Sequence, residues 1–119
     1  MGHIIGKVFE FHAAHYLPNY EGNCKSLHGH GYKMEVLIKG KVNATSGMIM
    51  DFKKLKEIVE RIILDPLDHT LLNNVFENPT AEIMVASIYY SLKKEIPDIW
   101  AVKLWETSTS YAMFSEVTG

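Results

Sequence analysis

The stretch HGYKMEVLIKGKV, from about His30 to Val42, alternates apolar and charged side chains. Successive side chains of a strand point to opposite faces, so this period of two predicts an antiparallel strand with one buried and one solvated face. The apolar side consists of Met34, Val36, Ile38 and Val42, and the charged side of Lys33, Glu35, Lys39 and Lys41. Residues near 4 to 16 alternate in the same way, which predicts a second strand before this one.

The hydrophobic period changes after residue 50, where apolar residues recur at helical spacing in two segments. The first helix is predicted from about Asp51, as N-cap, to Leu64, with Pro66 as a stop shortly after. Its predicted apolar stripe is Phe52, Leu55, Ile58, Val59, Ile62 and Ile63. The second helix opens at Asn78-Pro79-Thr80-Ala81-Glu82 and ends before Pro97. Its predicted buried stripe is Met84, Val85, Ile88, Leu92 and Ile96.

Two further strands are predicted at Trp100 to Glu106 and Tyr111 to Val117, joined by a short polar turn. The order strand, strand, helix, helix, strand, strand predicts a single α+β domain over residues 1–119, a sheet with both helices on one face. Such a sheet leaves its other face and its outer edges uncovered. We therefore expect the edges to pair in an oligomer, with a monomer that has short, charged edges as the alternative.

Composition favours small-molecule chemistry. The chain has 12 Lys and Arg against 14 Asp and Glu, a net charge of −2, and its lysines are scattered. Neither a nucleic-acid face nor a membrane surface is therefore expected. A single cysteine, Cys24, cannot form an internal disulfide. Together with the lack of a long apolar run or a signal-peptide pattern, this predicts a cytoplasmic location.

Three histidines are candidate ligands of a metal ion. His28 and His30 stand two apart, so on a strand both project from one face. His15 ends an otherwise apolar row formed by Phe9, Phe11 and Ala13. Neutral imidazole is a common zinc donor, and three protein ligands leave a fourth position open for water or substrate. The alternative is a pair of surface histidines and a hydrogen-bonded core histidine.

Two further residues stand out near these histidines. Cys24 is either a reactive thiol or a small buried residue, and its polar, Gly- and Asn-rich loop favours the thiol. Glu106 lies on the apolar side of a predicted strand, where an unpaired carboxylate is costly. It is therefore expected to have a partner, whether a ligand, a lysine or water at the strand end.

Five motifs carry a resemblance that spans nearly the whole chain. They are Phe11-His12-Ala13-Ala14-His15-Tyr16-Leu17, Cys24-Lys25-Ser26-Leu27-His28-Gly29-His30, Leu67-Asp68-His69, Pro79-Thr80-Ala81-Glu82 and the late Glu106. In order and spacing this set resembles the family of 6-pyruvoyl-tetrahydropterin synthase and 6-carboxytetrahydropterin synthase. The resemblance implies the tunnelling fold (T-fold), in which three subunits join their sheets into a barrel and two barrels stack as a hexamer. Active sites then form between subunits.

The position of the cysteine in Cys-x-x-x-His-Gly-His resembles the 6-carboxytetrahydropterin synthase branch, which serves the route to queuosine or archaeosine. The implied reaction converts 7,8-dihydroneopterin triphosphate to 6-carboxy-5,6,7,8-tetrahydropterin, acetaldehyde and triphosphate. The 6-pyruvoyl enzyme is the alternative within the family.

The resemblance also implies roles for single residues. Zinc would be bound by His15, His28 and His30, and Cys24 would be the general base. Asp68 and His69 resemble the second proton-handling pair, which in the family comes from the neighbouring subunit. Glu106 would accept two hydrogen bonds from the pterin, and Thr80 and Glu82 would either support the pterin or simply cap a helix. His12 departs from the family pattern and points away from His15, so it is not counted as a ligand.

Two other classes of protein remain open. A zinc hydrolase also uses three histidines and an open position, but it needs neither the thiol nor the buried glutamate. A non-catalytic pterin-binding or structural zinc protein would tolerate Cys24→Ala without functional loss.

Overall fold

A computed structural model describes residues 2–18 and 27–116, with the side chain of His28 excepted. Its centre is a four-stranded antiparallel sheet in the order β1-β2-β3-β4, formed in the sequence order of the strands. The strands are β1 (His3–His15), β2 (His28–Gly40), β3 (Ile99–Thr107) and β4 (Ser110–Phe114). The helices are α1 (Phe52–Val59), α2 (Asp65–Leu67) and α3 (Ala81–Lys93). The predicted α+β architecture is confirmed.

The pairing of β1 with β2 runs from His3 opposite Gly40 to His15 opposite His28. The predicted second strand therefore begins and ends two residues too late, because β1 continues the pairing down to His28. Val42 lies beyond the strand and is 41% exposed, so its predicted place in the buried row is wrong. The other three residues of that row are buried.

The first helical segment is longer than predicted. Its start is confirmed, since the Asp51 carboxylate accepts a hydrogen bond from the Lys53 amide at 2.9 Å. The predicted end is wrong: a π-helical turn, Glu60–Leu64, leads directly into α2. Pro66 lies in the first turn of α2, where the amide hydrogen that proline lacks is least needed, so the chain continues past it.

The core lies between the helices and one face of the sheet. The predicted stripe of α3, including Ile96 just beyond its end, is completely buried. In the first helical segment two members of the predicted stripe are not buried: Phe52, directly after the N-cap, is 49% exposed, and Ile62 is only partly buried against the core. No helix in the described part of the chain is long and apolar enough to cross a membrane.

The buried rows of three strands end at polar side chains. On β1 the row Phe9, Phe11, Ala13 ends at His15. On β2 the row of Tyr32, Met34, Val36 and Ile38 is preceded by His30, and on β3 Leu104 is followed on the same face by Glu106. The sheet therefore brings three polar residues together at one end of the core.

Candidate metal centre

Two imidazoles and one carboxylate converge at this end of the sheet. Glu106 Oε1 lies 3.3 Å from His15 Nε2 and 3.4 Å from His30 Nε2. Ligand atoms of all three residues lie within 4.8 Å of one another. His15 is 1% exposed, whereas the Glu106 side chain is 29% exposed. Imidazole nitrogens and a carboxylate oxygen are donors that a divalent transition metal accepts, so this group could hold a metal ion.

Strand register explains the convergence. Ala13 lies opposite His30 in the β1–β2 pair, so His30 is the diagonal neighbour of His15, with ring centroids 4.9 Å apart. In the β2–β3 pair Trp105 lies opposite Lys33, which places Glu106 beside Tyr32 on the core face. The backbone of His28 lies directly opposite His15. The side chain of His28 is outside the described residues, so its role as a ligand stays a prediction.

Tyr32 is a member of the site that the sequence did not predict. Its hydroxyl lies 2.7 Å from His15 Nδ1, and its ring, 1% exposed, stacks on Phe11 at 5.0 Å. Burial, and next the charge of Glu106, raise the pKa of Tyr32, which keeps the phenol neutral. If His15 binds a metal through Nε2, its proton is on Nδ1 and is donated to the Tyr32 oxygen. A tyrosine in an apolar row two residues after His30 was the available signal.

Asp68 and His69 lie elsewhere, at the edge of β1. Asp68 Oδ1 is 3.2 Å from His69 Nδ1, so the contact that adjacency in sequence left open is made. Asp68 Oδ1 also accepts the His12 amide at 2.9 Å, and the His69 amide donates to the His12 oxygen at 2.6 Å. His69 has φ +60°, a left-handed conformation that costs a non-glycine residue roughly 1–2 kcal/mol. These hydrogen bonds hold it there.

His69 lines a groove of about 640 Å³ that also reaches His30. His12 lines it with its ring centroid 6.3 Å from that of His69. A side chain at Gly31 would come within 3.2 Å of the His12 ring, so glycine leaves room for that ring. The remaining lining residues are Ala13, Ala14, Leu27, Gly29, His30, Thr70 and Leu71.

The other predicted site residues have different surroundings. Thr80 is the N-cap of α3 and its Oγ1 accepts the Ile83 amide at 3.2 Å. Glu82, in the first turn of α3, lines a second groove together with Glu106 and Tyr111. Cys24 lies outside the described residues. Packing of α3 on the sheet thus places Glu82 and Glu106 along one groove, whereas the Thr80 side chain caps the helix.

A four-stranded antiparallel sheet covered by two main helices, with a His-His-Glu group at its end, is the structure of a T-fold protein. The chain belongs to the 6-pyruvoyl tetrahydropterin synthase family, whose sequence model matches residues 4–117. The resemblance inferred from the motifs is therefore confirmed.

Individual relatives agree with this membership. The chain is 38% identical to the 6-carboxy-5,6,7,8-tetrahydropterin synthase of Haemophilus influenzae, over 94% of this chain and 98% of that protein. It is 37% identical to the protein of the same name from Synechocystis, over 93% and 92%. Among solved structures, the 6-pyruvoyl tetrahydropterin synthase of Caenorhabditis elegans superposes with a TM-score of 0.89 at 26% identity, covering 98% of this chain and 97% of that one.

Proposed function

We propose that this protein is a zinc-dependent 6-carboxy-5,6,7,8-tetrahydropterin synthase. The substrate would be 7,8-dihydroneopterin triphosphate, and the products 6-carboxytetrahydropterin, acetaldehyde and triphosphate. The convergence of His15, His30 and Glu106, in a chain similar over nearly its full length to two proteins of that name, carries the proposal. The protein would then act in the cytoplasm, on the route to queuosine or archaeosine.

The residues that would hold zinc are His15, His30 and His28. The Nε2 atoms of His15 and His30 both lie within 3.4 Å of one Glu106 oxygen, and the His28 backbone lies opposite His15. Bound zinc would supply Lewis-acid polarisation of the oxygens on the substrate side chain. Neutral imidazoles leave the positive charge of the ion undiminished, which suits that task.

We assign Glu106 to the pterin ring. Its carboxylate is partly exposed beside the imidazoles and lines the groove that Glu82 and Tyr111 share. A pterin has a ring N–H next to an exocyclic amino group, and one carboxylate can accept both hydrogens. Such a contact would place the side chain of the substrate towards His15 and His30.

Proton transfer is assigned to Cys24, as general base, and to the pair of Asp68 and His69. The Asp68 oxygen at 3.2 Å from His69 Nδ1 favours a proton on Nδ1, which leaves Nε2 to exchange a proton with the substrate. His69 is 73% exposed at the sheet edge. This exposure supports a homohexamer in which His69 acts on the site of a neighbouring subunit.

The deciding experiment is the mass of the pterin product after zinc-loaded protein is incubated with 7,8-dihydroneopterin triphosphate. We expect the 6-carboxy product from the unaltered protein, its loss in Cys24→Ala, and its retention in the neighbouring control Ser26→Ala. Zinc content should be the same in all three. No conversion with zinc in place would contradict the proposal.

A 6-pyruvoyl product from the same incubation would favour the second candidate, 6-pyruvoyl-tetrahydropterin synthase. The match to the C. elegans structure of that name is the observation that supports this candidate.

A further inference from the structure

Residues 68–73, which we call the edge segment, follow the outer edge of β1 next to the candidate metal centre. Three alternate amides of the chain donate hydrogen bonds to it, as expected when every second amide of a strand points the same way. They are His12 to Asp68 Oδ1 at 2.9 Å, Ala14 to the Thr70 oxygen at 3.0 Å and Tyr16 to Asn73 Oδ1 at 3.0 Å. Leu71 also forms a parallel bridge with Ala14.

Within the edge segment, all of which the structure describes, Asn73 is the only side chain that both accepts from and donates to the backbone of one residue, Tyr16, which directly follows β1. Its Oδ1 accepts the Tyr16 amide at 3.0 Å, and its Nδ2 donates to the Tyr16 oxygen at 2.9 Å. A neighbouring strand would make the same pair of bonds. A carboxamide has the required donor and acceptor, whereas a carboxylate has acceptors only.

The two ends of the edge segment adjoin the two parts of the proposed active site. Tyr16 directly follows His15, whose imidazole is buried beside Tyr32. At the other end, His69 keeps its left-handed backbone while its amide bonds to the His12 oxygen. One strip of hydrogen bonds therefore joins Ala14 and Tyr16, the neighbours of the candidate metal ligand His15, to the segment that contains His69.

We propose that Asn73 is a positioning residue that holds the metal-binding end of β1 and the backbone of His69 in one geometry. It acts through His15 and His69, since its own side chain is occupied by Tyr16. The catalytic part of this inference rests on the proposed function. The metal-binding part does not.

The test compares Asn73→Ala and Asn73→Asp with Asn74→Ala as the matched control. Asn74 is the adjacent asparagine, and its side chain makes no hydrogen bond within residues 2–18 and 27–116. Asn73→Asp keeps the shape of the side chain but sets a second anionic oxygen against the Tyr16 carbonyl. It should therefore weaken zinc binding and lower kcat as much as Asn73→Ala does. The readouts are hydrogen exchange of the Tyr16 and Ala14 amides, zinc affinity, and kcat and KM with zinc saturating.

For both Asn73 variants we expect the Tyr16 amide to exchange at least about tenfold faster and zinc to bind about tenfold more weakly, the range found for residues that orient metal ligands. We expect kcat to fall about tenfold with KM within about twofold, because the substrate contacts remain. Asn74→Ala should match the unaltered protein in every readout.

Unchanged zinc affinity and kcat in a folded Asn73 variant would overturn the inference, even if the melting temperature falls, because Asn73 would then be merely structural. If Asn73→Ala does not fold, the same readouts on Asn73→Asp decide. If the unaltered protein turns over no pterin, the proposed function fails by itself, and zinc affinity and amide exchange still decide the role of Asn73.

Discussion

The position of Glu106 is compatible with two roles, a metal ligand and a substrate contact. Its Oε1 atom lies within 3.4 Å of both imidazole nitrogens, which is compatible with a metal ligand, yet it lines an open groove, which is compatible with a substrate contact. The sequence indicated only that the carboxylate needs a partner, because an unpaired carboxylate among apolar neighbours is costly. The two roles can be told apart by removing the charge of the Glu106 carboxylate. A metal ligand would then lose zinc, whereas a substrate contact would lose affinity for the pterin.

Glu106→Gln is expected to keep zinc and lose affinity for the substrate. The amide replaces one acceptor oxygen with a donor, so the two-point contact with the pterin is broken. Charge-assisted hydrogen bonds contribute about 1.5–3 kcal/mol, so KM should rise at least about tenfold. Zinc content and steady-state kinetics check this, with Glu77→Gln on an exposed loop as control. Loss of zinc in Glu106→Gln would make Glu106 a ligand instead.

At the scale of single elements, the ends of helices show where local chemistry is decisive and where it is not. Asp51 was recognisable as an N-cap because its short polar side chain precedes a helical period, and the structure confirms it. Pro66 predicted the end of the first helix by a similar local rule, because proline usually interrupts a helix. In the structure the helix instead continues through a π-helical turn into α2, which contains Pro66. No residue pattern in Glu60–Leu64 predicts such a turn.

Thr80 is expected to act mainly through α3. Thr80→Ala removes the acceptor for the Ile83 amide and should lower the free energy of unfolding by about 1 kcal/mol, whereas Thr80→Ser should keep it within a few tenths. Thermal or urea unfolding measures this difference. A KM that rises in Thr80→Ala but not in Thr80→Ser would support the additional pterin contact that the family resemblance implies. Equal stability of both variants would contradict the capping role.

On the scale of the whole molecule, β1 has two unlike halves. The edge segment covers the half from His12 onwards. The outward amides of the other half, from Ile4 to Glu10, make no hydrogen bond beyond the sheet with any residue that the structure describes. A long edge of this kind is normally paired, so we expect it to be used in the proposed hexamer.

Val8→Pro tests this expectation. Val8 is 50% exposed and its amide points outward by the alternation seen at His12 and Ala14, so proline should spare the pairing with β2 but block an added strand. Light scattering after gel filtration should give six chain masses for the unaltered protein and for Val8→Ala, and a smaller assembly for Val8→Pro. Turnover of Val8→Pro should fall as well, because the proposed active site includes His69 of a neighbouring subunit. A hexameric Val8→Pro protein would exclude this half of β1 as an interface.

The sequence by itself determined the strand and helix order, most of the buried rows and the helix N-caps, because these depend on hydrophobic period and on residues close together in the chain. Its motifs also identified the family. The sequence also singled out His15 as the end of an apolar row, His30 by its His-x-His spacing, and Glu106 as a carboxylate on the apolar side of a predicted strand. The tertiary structure decided what each of them meets. Register across three strands sets Glu106 against two imidazoles and Tyr32 against His15, and packing of residues 68–73 on β1 sets Asn73 against Tyr16. Contacts between residues so distant in the chain arise only when the sheet is assembled, so no local pattern contains them.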